Sequence, residues 1–149
     1  MRVRAALALA AGTLLLTAPA ARASAPQIKE VFVTEVTATS AKLQARINPN
    51  GPFTTYRFEY VTQAAFEASG YASAKKAPAS GAAPLGGGTT TLLGSQSLTP
   101  PLNPLTPATA YRYRAFASNS EGSETSKEHV FATQEVADAS VQEALDAGI

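Results

Sequence analysis

Three features of the 149-residue chain predict an all-β sandwich of about seven antiparallel strands: period-two alternation, regularly spaced turn formers and the absence of cysteine. Ala41, Leu43, Ala45 and Ile47 alternate with Lys42, Gln44 and Arg46. Tyr56, Phe58 and Tyr60 alternate with Thr55, Arg57 and Glu59, and Tyr111, Tyr113, Ala115 and Ala117 with Arg112, Arg114, Phe116 and Ser118. Each such run has one apolar face, and two sheets can bury those faces in a single shared layer. A small exported domain often supports a thin core with disulfides, but this chain has no cysteine and must rely on packing.

The first 23 residues read separately from the rest. Arg2 and Arg4 form a basic head, Ala5 to Leu16 is an uncharged, mostly apolar run, and Ala18-Pro19-Ala20 and Ala21-Arg22-Ala23 are two small-x-small exits. That is the three-part pattern of a secretory signal peptide over 1–23. The run falls short of the ~20 apolar residues a membrane span needs. No cysteine follows for thioether lipidation, and no later stretch is apolar enough to span, so no stable membrane span is expected after cleavage. The expected localisation is secreted, extracellular or at the cell surface.

Without the leader the balance is 9 basic against 11 acidic side chains. No basic stripe remains to neutralise a run of phosphates, which argues against nucleic acid as a partner. The remaining 126 residues suffice for one real core.

Along the chain, the expected domain spans 26–134. Val31 to Val36 is β-branched and predicts an edge strand, and Ala41 to Ile47 a half-buried one. Asn48-Pro49-Asn50-Gly51-Pro52 stops the ladder, and Thr55 to Tyr60 gives the clearest strand. Thr62 can cap, and Gly70 can end, a short helical turn near 63–69. Tyr71 to Gly94 is Ala-, Ser-, Gly- and Pro-rich and reads as the largest loop region, with a short edge strand around Thr89 to Leu93. Ser95 to Leu102 predicts a strand cut short by Pro100 and Pro101. Tyr111 to Ser118 follows, then a turn at Asn119 to Ser123 and a last strand over Lys127 to Thr133. In the tail, 135–149, Ser140-x-x-Glu143 matches a capping box and allows a short C-terminal helix. No segment recurs, so the module is single.

Leu105-Thr106-Pro107-Ala108-Thr109-Ala110-Tyr111 resembles the L-x-P-x-T-x-Y stretch before the sixth strand of fibronectin type III domains. Tyr113, Ala115, Ala117, Asn119 and Gly122 continue that family's spacing, and Tyr56-x-Phe58-x-Tyr60 is similar to its third strand. The resemblance covers about Pro26 to Thr133, with features of a secreted bacterial subgroup at Asn48 to Gly51, Phe58 to Tyr60 and Ala65 to Ala72. It departs from the pattern where Ile47 stands in place of a common Trp, and in the length of the Tyr71 to Gly94 segment. It implies a structural core and corner made by Tyr56, Phe58, Tyr60, Leu105, Pro107, Tyr111 and Tyr113. A corner tyrosine buries its ring between the sheets and returns its hydroxyl to nearby backbone.

The residues offer little for catalysis. With one histidine, His129, and no cysteine, Cys/His catalysis and multi-histidine metal sites are excluded. A Ser-His-Asp arrangement would need Asp138 or Asp146 from the tail. Glu121, Glu124 and Glu128 read as a solvated acidic turn, without the alternating ligands of a calcium loop. Gly86-Gly87-Gly88 lacks the Lys-Ser/Thr of a phosphate cradle. No enzyme, cofactor or metal is expected. Phe53, Phe66 and Tyr71 fall off the core pattern and form the candidate binding surface, with Phe66 expected to cover a sheet edge. The expected function is a monomeric, non-enzymatic structural or protein-interaction module with an extracellular protein partner. The alternative is a carbohydrate-binding module, with a glycan stacked on those rings.

Overall fold

A computed structural model describes residues 23–137 and 147–148. The leader before Ala23 and the capping box at Ser140 to Glu143 lie outside the described residues.

The chain forms a two-sheet antiparallel sandwich. Strands β1 (Gln27–Thr34), β2 (Ala41–Asn48) and β6 (Leu92–Leu98) make a three-stranded sheet in the order β1-β2-β6. The second sheet is built on β3 (Gly51–Thr62) and β7 (Ala110–Asn119). The far side of β3 pairs first with β4 (Lys75–Ala77) and then with β5 (Ala83–Gly88). The far side of β7 pairs with β8 (Gly122–Thr125) and β9 (His129–Ala132). Each outer ribbon is thus one strand broken in two, which gives nine strands among the described residues where the sequence suggests about seven. Ser126 bridges the second break: its N–H donates to the Ala115 carbonyl, and its Oγ accepts from the Ala115 N–H at 2.9 Å.

Other boundaries move for physical reasons. The Tyr71 to Gly94 segment is only partly loop: it carries two short strands, β4 and β5, and the start of β6. A neighbouring strand's free N–H and C=O groups template pairing even where side chains favour coil. No strand forms over Thr89 to Leu93 as such; β6 begins at Leu92, opposite Ile47, and ends at Leu98, opposite Ala41. Pro100 and Pro101 could not have donated to a continuation. β1 starts earlier than expected, with Gln27 opposite Asn48, and is over by Glu35, whose φ of 53° leaves the extended region. The last ribbon runs as β8 and β9, with Lys127 in the gap between them.

One core joins the two sheets. Leu43, Ile47, Leu98 and Phe58 are fully buried, with Tyr113 at 2 % exposure. Fully burying such a side chain contributes about 1.5–3 kcal/mol. Tyr56 also ties the sheets together through its hydroxyl, which donates to the Ser95 carbonyl at 2.9 Å. That hydroxyl accepts from the Ser95 N–H and from Gln96 Nε2. The close approach requires Gly94, since a Cβ there would meet the Tyr56 ring at 2.8 Å. At the corner, the Tyr111 hydroxyl accepts from the Thr106 N–H at 2.8 Å, above a buried Leu105. Thr133 Oγ1 donates to the Thr106 carbonyl and accepts from the Thr109 N–H, binding the crossover to the chain's exit. Pro107 is half-buried beside it.

Candidate functional site

Alternation on β3 and β7 turns their polar rows away from the core and sets them side by side. Register places Arg57 opposite Phe116, Glu59 opposite Arg114 and Val61 opposite Arg112. Directly opposed residues share a face, so Arg57, Glu59, Arg114 and Phe116 meet on the sheet's outer surface.

Helix α1 (Gln63–Ser69) completes this surface. Thr62 Oγ1 accepts from the Ala65 N–H at 3.2 Å and starts the helix, and Gly70, at φ 61°, ends it. Phe66 comes to lie over the Arg112 guanidinium, 4.4 Å from carbon to ring centre. Tyr71 covers Arg114 at 4.0 Å, and Arg57 lies over Phe116 at 3.9 Å. Phe66 and Tyr71 meet edge to face at 5.4 Å and 74°. Three guanidinium–aromatic stacks therefore cover the middle of the sheet. Phe66 covers the sheet's face, not an edge, because the helix turns back over β7 rather than continuing past β3.

Glu59 is the anion at the centre, accepting from Arg57 at 3.1 Å and from Arg114 at 3.2 Å. Burial by itself would raise its carboxyl pKa, but the hydrogen bonds and charges of Arg114 and Arg57 together hold it below the ordinary value. Arg112 is fixed by Gln63 Oε1 and by Glu128, each at 2.8 Å. Arg57 Nε, Arg114 Nε and the Tyr71 hydroxyl are buried without a hydrogen-bond partner among the described residues. Burial, with a smaller push from Glu128, raises the Tyr71 phenol above its ordinary pKa, so it stays a donor.

Of the sequence's candidate residues, Phe66 and Tyr71 are brought together and Phe53 is not. Phe53 is 61 % exposed near the start of β3, and nine residues at about 3.3 Å each separate it from Thr62 by roughly 30 Å. Tyr56, Phe58, Tyr60, Leu105, Tyr111 and Tyr113 are all buried. Arg57, Arg112, Arg114 and Phe116 were absent from the candidates. For the three on β7 the signal is the Arg-x-Arg-x-Phe row on its polar side, where a phenylalanine stands among polar residues.

The remaining candidates scatter. His129 opens β9 with its ring 5.6 Å from Tyr113, while Asp138 and Asp146 lie outside the described residues. Glu124 accepts from the Ile28 N–H of β1, and Glu128 pairs with Arg112. No group of three or more potential metal ligands occurs among the described residues. No helix among them is long and apolar enough to cross a membrane.

No protein-family model matches the chain, and no curated protein matches it. Solved structures do. The sensor domain of the anti-sigma factor RsgI4 from Pseudobacteroides cellulosolvens is similar, at 17 % identity and a TM-score of 0.52, over 77 % of this chain and all of that one. The third fibronectin III domain of human KIAA0343 protein aligns at 20 % identity and a TM-score of 0.47, over 83 % of this chain and 94 % of that one. The fold is a fibronectin type III or immunoglobulin-like sandwich.

Proposed function

We propose that the chain is a secreted, non-enzymatic module of the fibronectin type III kind that docks an extracellular protein on the outer face of β3 and β7. The array of Arg57, Arg112 and Arg114 stacked on Phe116, Phe66 and Tyr71 carries this reading. Arginine and tyrosine are the residue types that most often anchor protein interfaces. Stacking and ion pairing hold these side chains before any partner arrives, which lowers the ordering cost of binding. Val130, 57 % exposed and registered opposite Arg112, adds apolar area beside the array. The sandwich it shares with a sensor domain suits such a role. The bacterial origin and the export rest on the resemblance and on the leader over 1–23.

Sugar stacking fits less well. Phe66 and Tyr71 stand at 74° with a guanidinium over each, and Phe53 is far away, so no flat platform of rings forms.

The test is affinity capture from the native secretome, comparing the wild-type chain with a variant carrying Arg112→Ser and Val130→Glu. A partner retained by the wild type, lost by that variant and kept by Lys42→Ser on the other sheet supports the reading. Equal capture by all three overturns the choice of face. Specific signal on a glycan array with no protein captured favours the sugar alternative. Turnover in an ester, glycoside and peptide substrate panel would remove the non-enzymatic reading.

A further inference from the structure

A cleft of about 180 Å³ opens at the end of the sandwich where β3 leaves the sheet, between α1, β4 and the crossover into β7. It is separate from the guanidinium array, since none of the stacked arginines or their aromatic partners lines it. Its walls are apolar: the Tyr60 and Tyr111 rings, Val61, Ala65 and Pro104. Its polar rim is Thr62, Ser73, Lys75 and Thr106, and no acidic side chain among the described residues lines it.

Two features point to a ligand. Tyr60 is 3 % exposed, and its hydroxyl is buried with no partner among the described residues. An unmet buried hydroxyl is unfavourable, so an occupant that accepts from it is favoured. Neighbouring Tyr111 has no such deficit, since its hydroxyl already accepts from Thr106 N–H. Burial, helped by Tyr111, raises the Tyr60 phenol above its ordinary pKa and keeps it a donor. The second feature is Lys75, which is registered directly opposite Tyr60 and so emerges on the same side of the sheet. It is exposed and makes no ion pair among the described residues.

We propose that this cleft binds a monocarboxylate on a short apolar body, the carboxylate accepting from the Tyr60 hydroxyl and the Lys75 ammonium while the body lies between the tyrosine rings and Pro104. A single cation beside a hydroxyl matches one negative charge, and charge-assisted hydrogen bonds of this kind are the stronger ones. The carboxylate can belong to a free acid or to the C-terminus of a peptide.

The test is an amide-resolved NMR titration of the purified chain with 3-methylbutanoate and, in parallel, 3-methylbutanamide. Two further arms use N-acetyl-valyl-valine with a free and with an amidated C-terminus. Saturable shifts at Thr62, Ser73 and Thr106 are expected for the acids, with the amides about tenfold weaker or worse. Tighter binding of 3-methylbutanoate would identify a free acid as the source, and tighter binding of the peptide acid a chain end; both support the site. Tyr60→Phe removes only the hydroxyl and is expected to weaken the acids about tenfold. Lys75→Gln, an exposed change that leaves the core intact, is expected to weaken them several-fold and decides the matter if the Tyr60 variant folds poorly. Absence of saturable shifts, equal affinity for acids and amides, or full affinity in both variants would overturn the proposal.

Discussion

Tyrosine hydroxyls show how one residue type does different work in one core. Tyr56 has three hydrogen bonds that join β3 to β6, Tyr111 has one that holds the crossover, and Tyr60 has none among the described residues. The Tyr56 bonds leave its ring nowhere to go, so Gly94 cannot acquire a side chain cheaply. A Cβ at Gly94 would stand 2.8–3.0 Å from three atoms of that ring. Gly94→Ala is expected to cost about 1–3 kcal/mol, read as a lower urea midpoint at unchanged slope. A loss under about 0.5 kcal/mol would mean that the ring shifts freely and the hydroxyl anchors are weak.

At the scale of the element, α1 is held in an unusual way. It has seven residues, none of them buried, and is too short to persist by itself. What keeps it in place is the Thr62 cap at one end and the rings of Phe66 and Tyr71 resting on arginines below. Each cation–π contact of this half-buried kind contributes about 0.5–2 kcal/mol, comparable with the cap. Thr62→Ala should therefore cost about 1 kcal/mol and speed amide exchange at Ala65 and Phe66 well before the β3–β7 ladder is affected. Exchange that stays slow at those amides would show that the arginine stacks suffice without the cap. The split outer ribbons belong to this scale too. β4 and β8 are legible only as partners of β3 and β7, because neither contains an alternating apolar row.

For the whole molecule, stability should fall on the alkaline side. Burial pushes the Tyr113 phenol up to about 12. Below the ordinary phenol value near 10, the folded and unfolded chains both keep this proton and the contribution is complete. As pH rises beyond that, the unfolded chain ionises first, and stability drains away until the folded phenol ionises near 12. The total is about 2–3 kcal/mol, and the raised Tyr60 phenol acts in the same direction. Urea unfolding at pH 8, 10 and 11 should show the decline, and Tyr113→Phe should flatten it; an equally steep decline in that variant would refute the assignment. At the acid end the sign reverses. Glu59, held below its ordinary value of 4.5, contributes above that value and loses its contribution as pH falls through the lowered one.

The sandwich was legible in the sequence because alternation is a local property. Tyr56-x-Phe58-x-Tyr60 and Tyr111-x-Tyr113 declare which side of a strand is dry without knowledge of what covers it. The corner was legible for the same reason, since Leu105 to Tyr111 encodes a bend and the hydrogen bond that closes it within a few residues. Which polar rows would meet was not legible. Arg57 and Phe116 are 59 positions apart in the chain, and only the antiparallel register of β3 on β7 sets them together. Nor could composition show that Phe66 and Tyr71 would rest on arginines while Phe53 stood alone, or that Tyr60 would bury a hydroxyl with nothing among the described residues to receive it. Strand, face and corner follow from spacing along one segment; the stacked surface and the cleft come from contacts between distant segments, and those exist only once the sheets have closed.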